Sequence, residues 1–352
     1  MDALEQIIER VQQARADKQP LAIRGGGSKD WYGSAAPQGE VLDVSGHRDI
    51  VDYEPSELVI TARCGTPLAE IEATVAAARQ MLAFEPPRYA ATSTIGGAIA
   101  AGLSGPRRAT AGAARDFVLG TRLLDGHGRH LRFGGTVMKN VAGYDVSRLL
   151  AGSLGVLGVI TEVSLKVLPL PQAEATLRFE LDQATALNKL NTWGGQPLPL
   201  SGSAWLDGIL HLRLSGAEAA VASACAKLGG ERMDETTASA FWASLRDQTH
   251  HFFADDAPLW RLSVAATAAP IEGTALIEWG GAQRWLRGNA EAATLRAAAR
   301  SAGGHATLFR HPVDATPRFT PLAPALAAIH RRLKAEFDPQ GIFNPQRLTP
   351  EF

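Results

Sequence analysis

The sequence predicts an α+β protein in two domains: a larger α+β domain over 1–171 and a small ferredoxin-like α+β cap over 172–320. Residues 321–352, a helix and a Phe-Asn-Pro motif, are expected to return to the first domain. Three observations carry this. Apolar runs of strand length alternate with amphipathic helical stretches along the whole chain. Pro169-Leu170-Pro171 ends a long alternating strand and marks a boundary, because proline withholds a donor from the ladder. Beyond that boundary the order strand, helix, strand, strand, helix, strand is the ferredoxin-like pattern.

Taken in order, Leu4, Ile7, Ile8 and Val11 fall at i, i+3, i+4 and i+7, the stripe of an amphipathic opening helix. Leu21-Ala22-Ile23 is a short apolar run, and Val41–Val44 and Leu58–Ala62 read as strands. Thr66-Pro67 starts a helix whose Leu68, Ile71 and Val75 share one face. Strands over 117–124 and 131–133 flank the turn Asp125-Gly126-His127-Gly128. From Val159 to Val167 every second residue is apolar or Thr, which makes a long strand.

In the second region a strand over 175–181 and a short helix near 185–190 lead to a Gly/Pro-rich loop over 193–203. Asp207-Gly208 between two apolar-rich runs is a strong hairpin signature. Helices follow at about 217–228 and 237–247, strands near 259–266 and 275–279, and a helix near 290–301. Leu322, Leu326, Ile329 and Leu333 then mark a last amphipathic helix.

Composition narrows the classes. The chain has 352 residues, 45% of them hydrophobic and 20% charged, enough for two cores in an ordinary globular protein. A formal net charge of −1 with no basic stripe argues against nucleic acid, whose binding depends on clustered cations releasing counterions. Two cysteines, Cys64 and Cys225, are too few for a disulfide framework and fit a reducing compartment. Met1-Asp2-Ala3-Leu4-Glu5 carries acid where a secretory leader carries base, and no apolar run is long enough to cross a bilayer. Any membrane contact is therefore expected through a partner.

Glycine-rich segments hold the chemistry. Arg24-Gly25-Gly26-Gly27-Ser28-Lys29 follows the first apolar run directly. Consecutive glycines expose N–H groups with no side chain in the way, and an adjacent Arg adds positive charge, so the loop reads as a phosphate cradle. It is neither a Walker loop nor a G-x-G-x-x-G loop, because Asp30 stands where the third glycine would be. A flexible surface turn is the other reading. Pro86-Pro87 opens a second stretch running through Thr92-Ser93-Thr94-Ile95-Gly96-Gly97 to Gly102, small enough for close approach of a ligand or for a tightly packed Ala/Gly helix. Lys139-Asn140-Val141-Ala142-Gly143-Tyr144-Asp145 and Gly152-Ser153-Leu154-Gly155-Val156-Leu157-Gly158-Val159-Ile160-Thr161 form a third.

In this order, with Pro87 separated by six residues from Thr94, these motifs resemble the flavin-binding domain of the PCMH-type (vanillyl-alcohol oxidase) flavoprotein superfamily. The closing Phe337-Asp338-Pro339-Gln340-Gly341-Ile342-Phe343-Asn344-Pro345 resembles the end of its 2-hydroxy-acid branch. Within that branch, Ser104-Gly105-Pro106-Arg107-Arg108 and the short length look most like the FAD-binding subunits of glycolate oxidases. The resemblance covers most of 20–171 and 322–347 and little of the middle third. It implies a PCMH-type FAD-binding fold of two α+β subdomains over 1–171. Arg24, Gly25, Gly26, Gly27 and Ser28 would hold the FAD pyrophosphate. Pro87, Thr94, Ile95, Gly96 and Gly97 would lie beside it and the flavin ring. Val159 and Ile160 would line the adenine side through their backbone. Asn344 would stand near the flavin, with a turn-forming Asn as the other reading; Ser104 and Gly105 would contact the cofactor, and Arg107 and Arg108 would approach the flavin edge, with solvent as the other reading for both. The first glycine loop has no His and Cys64 reads as structural, so the FAD is expected to be non-covalent.

Oxidising a 2-hydroxy acid needs a base for the hydroxyl proton and a cation for the carboxylate. Catalytic members of the branch carry a His-x-Gly-Asp-Gly-Asn-x-His segment that this chain lacks; Gly304–His311 is its nearest stretch. His250-His251 reads as packed or surface histidine, and no metal site is expected. No catalytic base is assigned. The resemblance therefore implies the FAD-binding subunit of a multi-subunit glycolate dehydrogenase, in the cytoplasm or at the inner face of the cytoplasmic membrane. It would act with a larger catalytic flavin subunit and an iron–sulfur subunit, because two cysteines cannot ligate a four-Cys cluster. A stand-alone FAD-linked 2-hydroxy-acid or alcohol oxidoreductase and a flavin-free assembly module are the alternatives.

Overall fold

In a computed structural model, residues 2–137, 144–311 and 316–352 are described; Lys139–Gly143 of the third glycine motif lies outside them. The chain divides into two compact units. The first comprises Met1–Leu103, Ala113–Leu170 and Pro321–Phe352, and the second Ser104–Gly112 and Pro171–Thr320.

The first unit opens with helix α1 (Ala3–Asp17), started by a capping box in which Asp2 accepts from the Leu4 N–H and Glu5 accepts from the Asp2 N–H. Its Ile7, Val11 and Ala14 are buried, the face that the opening periodicity predicts. Strand β1 (Leu21–Arg24) pairs in parallel with β2 (Glu40–Asp43) on one side. On its other side runs the C-terminal tail, with the Leu21 N–H on the Ile342 carbonyl at 2.7 Å and the Asn344 N–H on the Leu21 carbonyl at 3.0 Å. One core joins α1, β1 and β2 to Cys64, Leu124, Val159, Ile342 and Phe343.

A five-stranded antiparallel sheet follows: β3 (Ile50–Glu54), β4 (Val59–Arg63), β6 (Val118–Leu124), β7 (His130–Gly134) and β8 (Val159–Lys166), in the order β3-β4-β8-β6-β7. The pair β5 (Gln80–Met81) and β9 (Leu168–Pro169) stands apart from it. Helix α2 (Leu68–Ala77) buries Leu68, Ile71 and Val75, and helix α3 (Ile95–Ala101) is the small-residue stretch. The turn between β6 and β7 is fixed by the buried Asp125 carboxylate, which accepts from the His127 and Arg129 N–H groups at 3.0 and 2.9 Å.

The second unit is one eight-stranded antiparallel sheet. Its strands are β10 (Ala173–Glu180), β11 (Leu200–Leu206), β12 (Ile209–Gly216), β13 (Glu231–Arg232), β14 (Leu259–Ser263), β15 (Thr274–Glu278), β16 (Gln283–Arg287) and β17 (His305–Arg310). The spatial order is β13-β10-β12-β11-β15-β16-β14-β17. Numbered within itself, β10 to β13 has the ferredoxin-like order 4-1-3-2, and β14 to β17 repeats that order in the opposite direction, the halves joining where β11 meets β15. The turn Asp207-Gly208 has φ of 50° and 77°, the left-handed pair that a two-residue hairpin turn requires.

Sequence reasoning missed β3, β5, β9, β13, β16 and β17 and began β11 too late. Gln283-Arg284-Trp285-Leu286-Arg287 looks like a surface segment, yet Arg284 is fully buried. Its guanidinium donates to the Gly281, Ala269 and Ala268 carbonyls at 3.2, 2.5 and 2.6 Å, which satisfies the non-helical crossover between β14 and β15.

The C-terminal helix Pro324–Phe337 corrects a second expectation. Its inward face is Ala327, Lys334 and Phe337, while Leu322, Leu326 and Ile329 are exposed. Lys334 sets the rotation: its buried ammonium donates to the Val156 carbonyl at 2.8 Å, the Asp338 carboxylate at 2.6 Å and the Phe343 carbonyl at 3.0 Å. Burial lowers the Lys334 pKa and Asp338 opposes that fall.

Candidate functional site

The parallel run of β2, β1 and tail aims β1 straight into the first glycine loop. That loop packs on the segment before α3. Thr92 Oγ1 donates to the Gly26 carbonyl at 2.7 Å, and Ser93 Oγ donates to Ser28 Oγ at 2.8 Å. A Cβ at Gly26 would stand 1.5 Å from the Thr92 carbonyl oxygen, and one at Gly25 would stand 2.4 Å from Thr94 Oγ1. Gly27 has a φ of 69° and lies under the Arg24 guanidinium. The glycines are thus demanded by the contact between two loops as well as by any ligand.

Among the described residues, the N–H groups of Gly25, Gly26, Gly27 and Ser28 have no acceptor, and all four residues line one cleft. A concave row of free amides is an anion site. Helix α3 offers no such row: its Ile95, Gly96 and Gly97 N–H groups go to the Thr66 carbonyl, the Cys64 carbonyl and Thr94 Oγ1 at 3.0, 2.9 and 3.3 Å. At the mouth of the cradle the Arg24 guanidinium pairs with Asp30 at 2.7 Å.

Leu154, Gly155, Gly158 and Ile160 form a further part of the wall, and Asn344 ties it to β1. Asn344 Oδ1 accepts from the Ile23 N–H at 2.7 Å, and Nδ2 donates to the Leu154 carbonyl at 2.6 Å. The residue sits at a φ of 42°, which Asn tolerates better than most side chains. Cys64 also lines the cleft; burial pushes its thiol up to about 12, so it stays protonated and unreactive.

The structure therefore brings Arg24, Gly25, Gly26, Gly27, Ser28, Thr94, Gly96, Gly97, Ile160 and Asn344 to one cleft. Ile95 and Val159 are buried in the core behind it, and Pro87 is buried without lining it. Ser104, Gly105 and Arg107 fold with the second unit. There Arg107 pairs with Glu174 at 2.8 Å, and Trp279 Nε1 donates to the Gly105 carbonyl at 3.1 Å. In the same unit His250 is held by its own turn, its Nδ1 accepting from the Phe252 N–H at 3.2 Å. No group of three or more His, Cys, Asp or Glu among the described residues is placed to hold a metal.

Several lining residues were not among the expected site residues, Asp30 and Arg347 among them. Asp30 carried a signal, the acid in place of a third glycine. Arg347 carried only its position three residues after Asn344.

The cradle is an anion site on a fold of the PCMH FAD-binding type, and comparison agrees. The FAD binding domain family matches residues 2–134. The chain is 49% identical to the glycolate oxidase subunit GlcE of Escherichia coli K12, over 99% of this chain and 98% of that one. It is 32% identical to the glycolate oxidase subunit GlcD of Bacillus subtilis, over 45% of this chain and 34% of that one. A structure of alkyldihydroxyacetonephosphate synthase superposes with a TM-score of 0.66 at 16% identity, covering 99% of this chain and 76% of that one, a likeness of fold. This chain belongs to the glycolate oxidase GlcE family of FAD-binding proteins.

Its cofactor is FAD. The residues present fit that group. Four residues whose N–H groups have no acceptor among the described residues line the cleft, and at Gly25 and Gly26 a Cβ would strike the Thr92–Thr94 segment on which the cradle packs. No lining residue is a histidine, and the one lining carboxylate, Asp30, is paired with Arg24.

Proposed function

We propose that this chain is an FAD-carrying subunit of a multi-subunit glycolate oxidase, a dehydrogenase in practice, that converts glycolate to glyoxylate. The single observation that carries the reading is the end-to-end match to GlcE, 98% of that subunit's length at 49% identity. The expected partners are a larger catalytic flavin subunit and an iron–sulfur subunit that receives the electrons; this chain's Cys64 and Cys225 cannot supply a four-Cys cluster. No helix among the described residues is long and apolar enough to cross a membrane, so attachment to the inner face of the cytoplasmic membrane would run through the complex.

In this reading the Gly25, Gly26, Gly27 and Ser28 amides bind the FAD pyrophosphate, and Arg24 adds charge. Asn344 holds β1 and the 154–155 turn at a fixed spacing around the cofactor. FAD, when bound, would supply the complex with a two-electron carrier. The attachment is non-covalent, as a cleft with no histidine and a thiol held protonated supports. No catalytic base is assigned among the described residues of the cleft, and proton removal from glycolate is assigned to the assembled complex.

The test is anaerobic reduction. The isolated yellow chain is expected to keep its flavin spectrum on addition of glycolate and to bleach once the partner subunits are added. Bleaching of the isolated chain would make it a stand-alone oxidoreductase.

A further inference from the structure

We infer that Arg347 is a positioning residue for the pyrophosphate cradle, an inference that rests on the FAD-carrying role proposed above. Arg347 comes from the C-terminal tail, yet its guanidinium is buried beneath the loop that continues the cradle. Nη1 donates to the Asp30 carbonyl at 3.0 Å and the Ala35 carbonyl at 2.5 Å. Nη2 donates to the Tyr32 carbonyl and, at 3.5 Å, to the Lys29 carbonyl. Four carbonyls of one seven-residue loop thus converge on one cation.

Because each peptide is planar, fixing a carbonyl fixes the following N–H as well, so Arg347 sets the peptide planes that follow Lys29, Asp30, Tyr32 and Ala35, and the Asp30 N–H in turn donates to the Gly27 carbonyl at 3.3 Å. The main chain adds to this clamp: the Ser34 N–H donates to the Arg347 carbonyl at 2.7 Å. Gly33, at a φ of 140°, leaves room for the guanidinium, since a Cβ there would stand 2.8 Å from its Cζ. Unclamped, the loop after Ser28 would sample many conformations, and the free amides of Gly27 and Ser28 would have to be ordered at each binding event. Lysine cannot replace the fork, because an ammonium has no planar set of donors for four diverging carbonyls.

The experiment compares wild type, Arg347→Lys and Gly33→Ala by titrating the flavin-free full chain with FAD (flavin fluorescence), ADP (calorimetry) and riboflavin. ADP carries the pyrophosphate without the flavin, and riboflavin the flavin without phosphate. Both variants should weaken FAD and ADP by about tenfold or more, the loss of one or two charge-assisted hydrogen bonds, and leave riboflavin unchanged. A merely structural role would lower the melting temperature and leave the affinities of the folded protein alone. Folded variants that bind FAD and ADP as wild type does would overturn the inference while the FAD-carrying role stands. If Arg347→Lys does not fold, Gly33→Ala decides, since it presses on the same guanidinium and keeps the charge. A wild type that takes up neither FAD nor ADP overturns the inference together with the role beneath it.

Discussion

Asn344 shows how much of this site hangs on single side chains whose partners lie far off in the chain. Its amide joins Ile23, 321 residues away, to Leu154, 190 residues away, so β1, the 154–155 turn and the tail meet in one residue. Asn344→Ala leaves the Ile23 N–H and the Leu154 carbonyl without partners and puts Ala at a left-handed φ. We expect a loss of about 2–4 kcal/mol in urea unfolding of the flavin-free protein. A loss under about 1 kcal/mol would show that water or backbone shifts satisfy both groups. The cradle glycines stand out in the sequence as a local run, whereas Asn344 was expected only through the resemblance of the closing Phe-Asn-Pro motif. Arg347 was not: its contact with the Asp30 carbonyl spans 317 residues, and no local pattern distinguishes a clamping arginine from a surface one. Nor could the sequence show that Arg107 would turn to Glu174 within the second unit.

At the scale of elements, the C-terminal helix separates what periodicity gives from what it cannot. The helix exists and carries Leu326, Ile329 and Leu333 of the expected stripe, but it starts at Pro324, after Leu322; Leu322, Leu326 and Ile329 are exposed, and a lysine is buried. A stripe says that one face is apolar; which face turns inward is decided by the partners on offer, here two carbonyls and the Asp338 carboxylate waiting for Lys334. Lys334→Met should therefore cost about 3 kcal/mol or more, since it strands a buried carboxylate. Leu326→Gln and Ile329→Gln should each change stability by less than about 0.5 kcal/mol. Chemical denaturation of the three variants checks both halves, and the opposite ranking would mean that the helix is rotated. The strand β16 was illegible for the same reason, a buried Arg284 where the sequence reads as surface.

At the scale of the whole molecule, sequence gave the class more readily than the chemistry. Ordered glycine motifs in 20–171 and the closing Phe-Asn-Pro point to an FAD-binding chain, and the full-length likeness to GlcE agrees. Alternating strands and helices also marked the ferredoxin-like pattern of the second unit. Its second copy was hidden, because the crossover from β14 to β15 has no helix and breaks the order of elements that would reveal it. No catalytic base is assigned among the described residues, and the proposed chemistry is that of an assembly. Every functional step above depends on this chain holding FAD by itself. The decisive measurement is the flavin content of the purified full chain after incubation with FAD and removal of the excess, followed by acid precipitation. The account predicts one FAD per chain, released by acid to leave a colourless pellet. A chain that emerges colourless and cannot be loaded would contradict it and leave the assembly-module reading in its place.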